Sequence, residues 1–130
     1  MVTRQLVLLG ASLFASVVGV PVSAQQAQDR YIQIADIDID PAQRDAYQAA
    51  VKEQIESAIR SEPGVLTLYA VSDRDHPERI RVFEIYSDIA AYKSHLESAH
   101  FKKYKAAVER IVRSLTLTQV SLIALGEKSK

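Results

Sequence analysis

Residues 65–72, VLTLYAVS, and 80–86, IRVFEIY, are two β-branched and aromatic runs separated by the polar stretch Asp73-Arg74-Asp75-His76-Pro77-Glu78. Short apolar runs joined by a few polar, turn-forming residues read as the two strands of a hairpin. Moving outward toward the N-terminus, Glu62-Pro63-Gly64 stops a helical pattern in which Tyr47, Val51, Ile55, Ala58 and Ile59 recur on one stripe. Asp40-Pro41 starts that pattern. The aspartate can accept a free N–H of the first turn, and a proline at the first helical position gives up only an N–H that would lack a partner. The spacing predicts a helix over 41–61. Before it, Tyr31–Ile39 (YIQIADIDI) alternates isoleucine with polar residues, with a change of phase near Ala35, and reads as a strand. Moving outward toward the C-terminus, Ser87-Asp88 caps a second helical region. There Ile89, Tyr92 and Leu96, then Phe101, Tyr104, Val108, Ile111 and Val112, recur at helical spacing, with an irregular joint near Ser98-Ala99. Residues 114–125 (SLTLTQVSLIAL) predict a last strand, and 126–130 a flexible tail.

The resulting order, β-α-β-β-α-β, is the split-βαβ, ferredoxin-like α+β pattern, with one antiparallel sheet and both helices on a single face. The strands carry apolar residues on both faces, for example Ile80, Val82 and Tyr86 against Phe83 and Ile85. A sheet with water on one side should alternate apolar with polar instead. The chain has no element left to cover the second face. The expectation is therefore a homodimer packed sheet against sheet with a cavity between, a dimeric α/β barrel.

The first residues read as an export signal. Met1-Val2-Thr3-Arg4 gives a cationic start, Leu6 to Val20 is interrupted only by Gly10, Ser12, Ser16 and Gly19, and Val22-Ser23-Ala24 supplies small residues before Gln25-Gln26. That order is a secretory signal peptide, 1–24, cleaved after Ala24. The 15 residues of the apolar stretch fall short of the roughly 20 that cross a bilayer. The expected product is periplasmic or secreted and free of the membrane, with a disordered lead-in over 25–29 and one domain over 30–125. Arg4 is the only charge removed, which leaves 15 basic residues against 16 acidic ones. A near-neutral, mixed surface argues against a nucleic-acid partner. With no cysteine in the chain, the exported domain depends on its core alone.

Several stretches resemble the antibiotic biosynthesis monooxygenase family, whose small dimeric α/β-barrel proteins include quinol monooxygenases. They are Glu62-Pro63-Gly64-Val65-Leu66, Phe83-Glu84-Ile85-Tyr86, and the run Ala91-Tyr92-x-x-His95-Leu96-x-x-x-His100-Phe101-x-x-Tyr104. The resemblance spans residues 30–125. It implies that a reduced aromatic substrate, such as a quinol or an anthrone, loses a proton and passes electrons directly to O2, with no flavin, haem or metal. The protein would then supply a water-poor cavity, a base of near-neutral pKa and hydrogen-bond donors for the developing oxyanion. Such chemistry suits an exported protein, which has little access to reduced nicotinamide or flavin.

Glu84 lies within an apolar strand, where a carboxylate is costly to bury unless paired or protonated. It is either a cavity carboxylate or the partner of a base such as Arg81. Asp36 occupies the same kind of position on the first strand, and the first and third strands of this fold are neighbours, so the two carboxylates can approach. His95 and His100 have the side chain best suited to a base at neutral pH. On a continuous helix their gap of five residues sets them about 140° apart, which is wrong for shared metal ligation. A break at Ala99 would let one face the cavity. His100 is the preferred one, because Phe101 beside it anchors the segment. The alternative for either is a helix-end histidine held by backbone, and His76 in the hairpin loop reads as solvated. Tyr92 and Tyr104 fit the packing stripe, whereas Tyr69 and Tyr86 are the better candidates to stack on a planar substrate.

Two other functions compete. The haem-degrading branch of the same fold is marked by a tryptophan and a histidine ligand, and this chain has no Trp and places His95 and Lys105 at the matching positions. A non-catalytic dimer that sequesters an aromatic ligand requires the same lined cavity as an enzyme.

Overall fold

The computed structural model describes residues 29–130. The expected signal peptide and residues 25–28 of the lead-in lie outside the described residues. The hairpin forms as read, from β2 (Val65–Ser72) and β3 (Arg79–Tyr86). Its loop is held by Asp73, whose Oδ1 accepts the N–H groups of Asp75 at 2.8 Å and His76 at 3.1 Å. His76 is exposed, as its polar surroundings suggest.

β1 (Tyr31–Ile39) pairs antiparallel with β3 on one side and with β4 (Val112–Val120) on the other, in the sheet order β2-β3-β1-β4. Pairing between β1 and β3 runs without a slip from Tyr31↔Tyr86 to Asp38↔Arg79. The expected change of phase at Ala35 is therefore not a backbone irregularity. Ile32 and Ile34 face one side of the sheet, and Ile37 and Ile39 the other, with Gln33 and Ala35. The last strand is shorter than the sequence suggests. Ile32 pairs with Val120, so β1 ends there and offers no further partner. Leu122, Ile123 and Leu125, apolar as they are, stay exposed and unpaired.

Asp40 starts the first helical segment with Oδ1 accepting from Ala42 N–H at 3.0 Å, and Pro41–Gln43 forms a single 3₁₀ turn before α1 (Arg44–Ser61). Pro63 restricts the residue before it to extended conformations. Glu62 accordingly stands at φ −110° and ψ 104°, which ends α1. The second helical region is two helices, α2 (Ile89–Glu97) and α3 (Ala99–Val108). Ser98, at φ −67° and ψ 148°, separates them; its hydroxyl donates to the His95 carbonyl at 2.6 Å and accepts from Phe101 N–H at 3.3 Å.

The helices pack on one face of the sheet. One core cluster joins Ala35, Ile37, Ile39, Tyr47, Ile80, Val82, Val108 and Ile111, and a second joins Ala58, Val65, Leu68 and Tyr86. The four strands are those of the ferredoxin-like α+β fold, but they form an open sheet with β2 and β4 as edges and do not close into a barrel within the chain. Among the described residues, no helix is long and apolar enough to cross a membrane.

Candidate active site

Between the inner face of β1 and β3 and the helices α2 and α3 lies a cavity of about 800 Å³. Small-molecule sites typically span roughly 300–1,000 Å³. The two-residue period of a strand aims Glu84 and Tyr86 at the same side, into this space. Register then sets Gln33 of β1 directly opposite Glu84. Gln33 Nε2 donates to Glu84 Oε2 at 2.5 Å, and the Tyr86 hydroxyl donates to Oε1 at 3.3 Å. Behind them the Tyr31 hydroxyl donates to Gln33 Oε1 at 3.3 Å, which fixes the orientation of the amide. Each carboxylate oxygen keeps a lone pair for a ligand.

Burial raises the Glu84 carboxyl above its ordinary range, against the opposing pull of the Gln33 hydrogen bond, the nearby His95 and the Tyr86 hydrogen bond. Burial also pushes the Tyr86 phenol upward, and the neighbouring Glu84 charge adds to the effect. Tyr86 therefore remains a proton-bearing donor at neutral pH. Its ring continues into an aromatic wall. Tyr92 meets Tyr86 edge-on with centroids 5.2 Å apart and stacks on Tyr31 at 4.5 Å. Phe101 lies 5.0 Å from the His95 ring, and Tyr104 shares a 2.9 Å hydroxyl contact with Tyr47.

The histidines are placed the other way round from the sequence-based preference. His95 is fully buried and lines the cavity, whereas His100 does not. His95 Nδ1 lies 2.7 Å from Glu62 Oε2 and its Nε2 lies 3.1 Å from Gln54 Nε2. Both ring nitrogens are thus engaged, and His95 offers the cavity a ring rather than a free base. His100 Nε2 reaches the same Glu62 oxygen at 2.6 Å from behind the wall. The separation of roughly 140° that a continuous helix would impose does not apply, because Ser98 redirects the chain. Glu62, His95 and His100 converge instead, with donor atoms of metal-ligating type within 4.8 Å of one another.

Asp36 and Tyr69 are not in the cavity. Asp36 pairs in register with Arg81, three positions from the Gln33–Glu84 pair, and so faces the opposite side of the sheet. There its Oδ1 accepts from Arg81 Nε at 2.7 Å. Arg81 is consequently no partner for Glu84, and the expected approach of the two carboxylates does not occur. Tyr69, 66% exposed, stands on that same outer face opposite Phe83. Tyr92 and Tyr104, read from their spacing as packing residues, do pack against the two core clusters and line the cavity as well. Gln33 escaped notice because an inward glutamine looks like a fault in the alternation of β1. Glu62 was legible only as part of a helix stop.

The model of the antibiotic biosynthesis monooxygenase family matches residues 30–107. The chain belongs to this family. The match includes β1, β2, β3 and most of the helical wall, so every member of the Gln33–Glu84–Tyr86 group falls within it. A protein of Bacteroides thetaiotaomicron classed with the antibiotic biosynthesis monooxygenases is 42% identical, with a TM-score of 0.76 over 80% of this chain and 99% of that one. Proteins classed the same way from Nitrosomonas europaea (21% identity, TM-score 0.69, 73% and 91% covered) and Caulobacter crescentus (18%, 0.69, 74% and 92%) share the fold. No curated protein matches the chain. Family membership and these neighbours support a monooxygenase-type function in general terms.

Proposed function

We propose that this chain is a cofactor-independent monooxygenase that oxidises a small quinol- or anthrone-type aromatic substrate with O2, using Glu84 as the base. The observation that carries the reading is a carboxyl raised by burial, held by two neutral donors, in a cavity lined by tyrosines and Phe101. A base is most effective when its pKa lies near the working pH. Glu84 takes a proton from the substrate, and the resulting electron-rich anion transfers an electron to O2. The radical pair combines to a peroxide anion at the ring carbon, which takes the proton back from Glu84 to become a hydroperoxide. Loss of water then leaves a new carbonyl group. In balance, the methylene group of an anthrone and one O2 become a carbonyl group and one water, and a quinol with one O2 likewise gives a hydroxyquinone and one water. Once Glu84 has taken the proton it no longer needs the single O–H of Tyr86, which turns to donate to the oxyanion, while Gln33 holds the carboxyl group in place. His95 and His100 support the wall and do not accept the proton.

The same reading makes the protein an exported homodimer, consistent with the cationic and apolar start of the sequence and with the apolar residues left on the outer sheet face. The decisive experiment follows O2 uptake by the purified mature protein with a panel of quinols and anthrones. Turnover should exceed autoxidation and be lost in Glu84→Gln. Tight binding of such compounds with no oxygen uptake above background would identify a sequestering protein and defeat the enzyme reading.

A further inference from the structure

We propose that Glu62, His95 and His100 form a binding site for a divalent transition-metal ion of the zinc class, built where three helices meet behind the cavity wall. Glu62 caps α1, His95 sits in the last turn of α2 and His100 in the first turn of α3. Their donor atoms, Oε2, Nδ1 and Nε2, lie within 4.8 Å of one another, and both ring nitrogens are already within 2.7 Å of the one carboxylate oxygen. Two imidazoles and a carboxylate are the protein ligands of open zinc sites, in which a water takes the fourth place. The convergence is set by backbone: Pro63 holds Glu62 extended, and Ser98 turns α3 away from the line of α2.

A pair of N–H groups sharing one carboxylate oxygen gives a similar picture, with Gln54 Nε2 donating to His95 Nε2, and the metal reading differs from it in the use it makes of the Gln54 oxygen. Gln54 is buried, its amide faces His95 Nε2 at 3.1 Å, and its Oε1 is buried without a hydrogen-bond partner. An ion on Nδ1 fixes the remaining ring proton on Nε2, which then needs an acceptor. A half-turn of the Gln54 amide brings that unpartnered Oε1 to the required place. An N–H donated to a protein oxygen is the support that metal-bound histidines generally have. The side chains of His95, Glu62 and His100 are 1%, 16% and 18% exposed, so the site is sheltered yet reachable. At zinc bond lengths the ligand atoms stand about 3.3 Å apart, so Glu62 withdraws by a little over half an ångström from each ring and the two ring nitrogens, now within 4.8 Å of each other, draw together around the ion.

The ion would fasten α1, α2 and α3 together and hold the His95 ring in the wall. It takes no part in the oxygen chemistry, so this site is tested without reference to turnover. The untagged mature protein, stripped with chelator, is titrated with Zn2+ by calorimetry and with Co2+ by visible absorption. One equivalent of Zn2+ should bind at micromolar concentration or below, and Co2+ should show the intense d–d bands of a low-coordinate site. With Zn2+ about a hundredfold above Kd, the thermal midpoint should rise by on the order of 10 °C. Glu62→Gln and His100→Ala, checked for folding by circular dichroism, should lose the binding. Gln54→Leu should weaken it by about 10- to 100-fold without changing the stoichiometry. His76→Ala, in the exposed hairpin loop, should leave it intact. No saturable binding below millimolar Zn2+, or binding that persists in Glu62→Gln and His100→Ala, overturns the proposal.

Discussion

Glu84 concentrates the physics of the site in one side chain. Its carboxyl is raised by burial, so the native state holds that proton more tightly than the unfolded chain does. The sign of the linkage follows. Stability is greatest below the unfolded carboxylate pKa and falls as pH rises toward the raised native value, because ionised Glu84 opposes folding. A glutamine of the same shape removes that penalty and can still accept a hydrogen bond from Gln33 or Tyr86. Glu84→Gln should therefore unfold at the same or a higher temperature than the parent at pH 7, while turnover disappears. In the parent, kcat should rise with pH through an apparent pKa above 4.5, the ordinary glutamate value. Thermal unfolding and a pH–rate profile on the same preparations check both. A variant that loses stability along with activity would make Glu84 a packing residue. Part of this was legible from sequence, since a glutamate between Phe83 and Ile85 is conspicuous. Its partner was not, because Gln33 acquires its meaning only from cross-strand register.

At the scale of elements, β2 and β3 announce themselves by composition, and the joint at Ser98 by a serine breaking the helical spacing. The end of β4 does not, because its limit is set by the length of β1 and not by its own residues. Gly64 shows a similar dependence on a distant element. It is not in a left-handed conformation, so the need for glycine is steric. A Cβ there would stand 2.5 Å from Ala91 Cβ and 3.1 Å from Ser87 Oγ. α2 is thus seated directly on the turn that links α1 to β2, and the Gly64 carbonyl accepts from Ser87 N–H at 2.8 Å. Gly64→Ala should push α2 outward and cost roughly 1–3 kcal/mol, as overpacking commonly does. For a domain of this size the thermal midpoint should fall by roughly 4–8 °C per kcal/mol. Because Tyr92 and His95 ride on α2, affinity for aromatic ligands should fall as well. An unchanged midpoint would show that α2 is free to shift.

For the whole molecule, the outer sheet face is the unfinished part. Tyr69 and Val71 of β2 are 66% and 48% exposed there, beside Phe83 and Ile34. Packing two such faces about 10 Å apart, as stacked sheets do, would cover them. A standard interface needs roughly 800 Å² from each partner. The proposed homodimer should therefore be seen by light scattering at micromolar concentration. Tyr69→Glu with Val71→Lys, both changes at exposed sites, should yield a folded monomer. The Asp36–Arg81 pair sharpens the test, since it lies on this same face. In a monomer the pair is solvated and contributes at most about 1 kcal/mol. Beneath a second sheet it loses that solvent, and removing one partner would leave a covered, unpaired charge. Arg81→Ala should consequently loosen the dimer far more than it lowers the stability of the monomeric variant. If Arg81→Ala changes both equally, or if the parent is monomeric, the two sheets do not pack through this face.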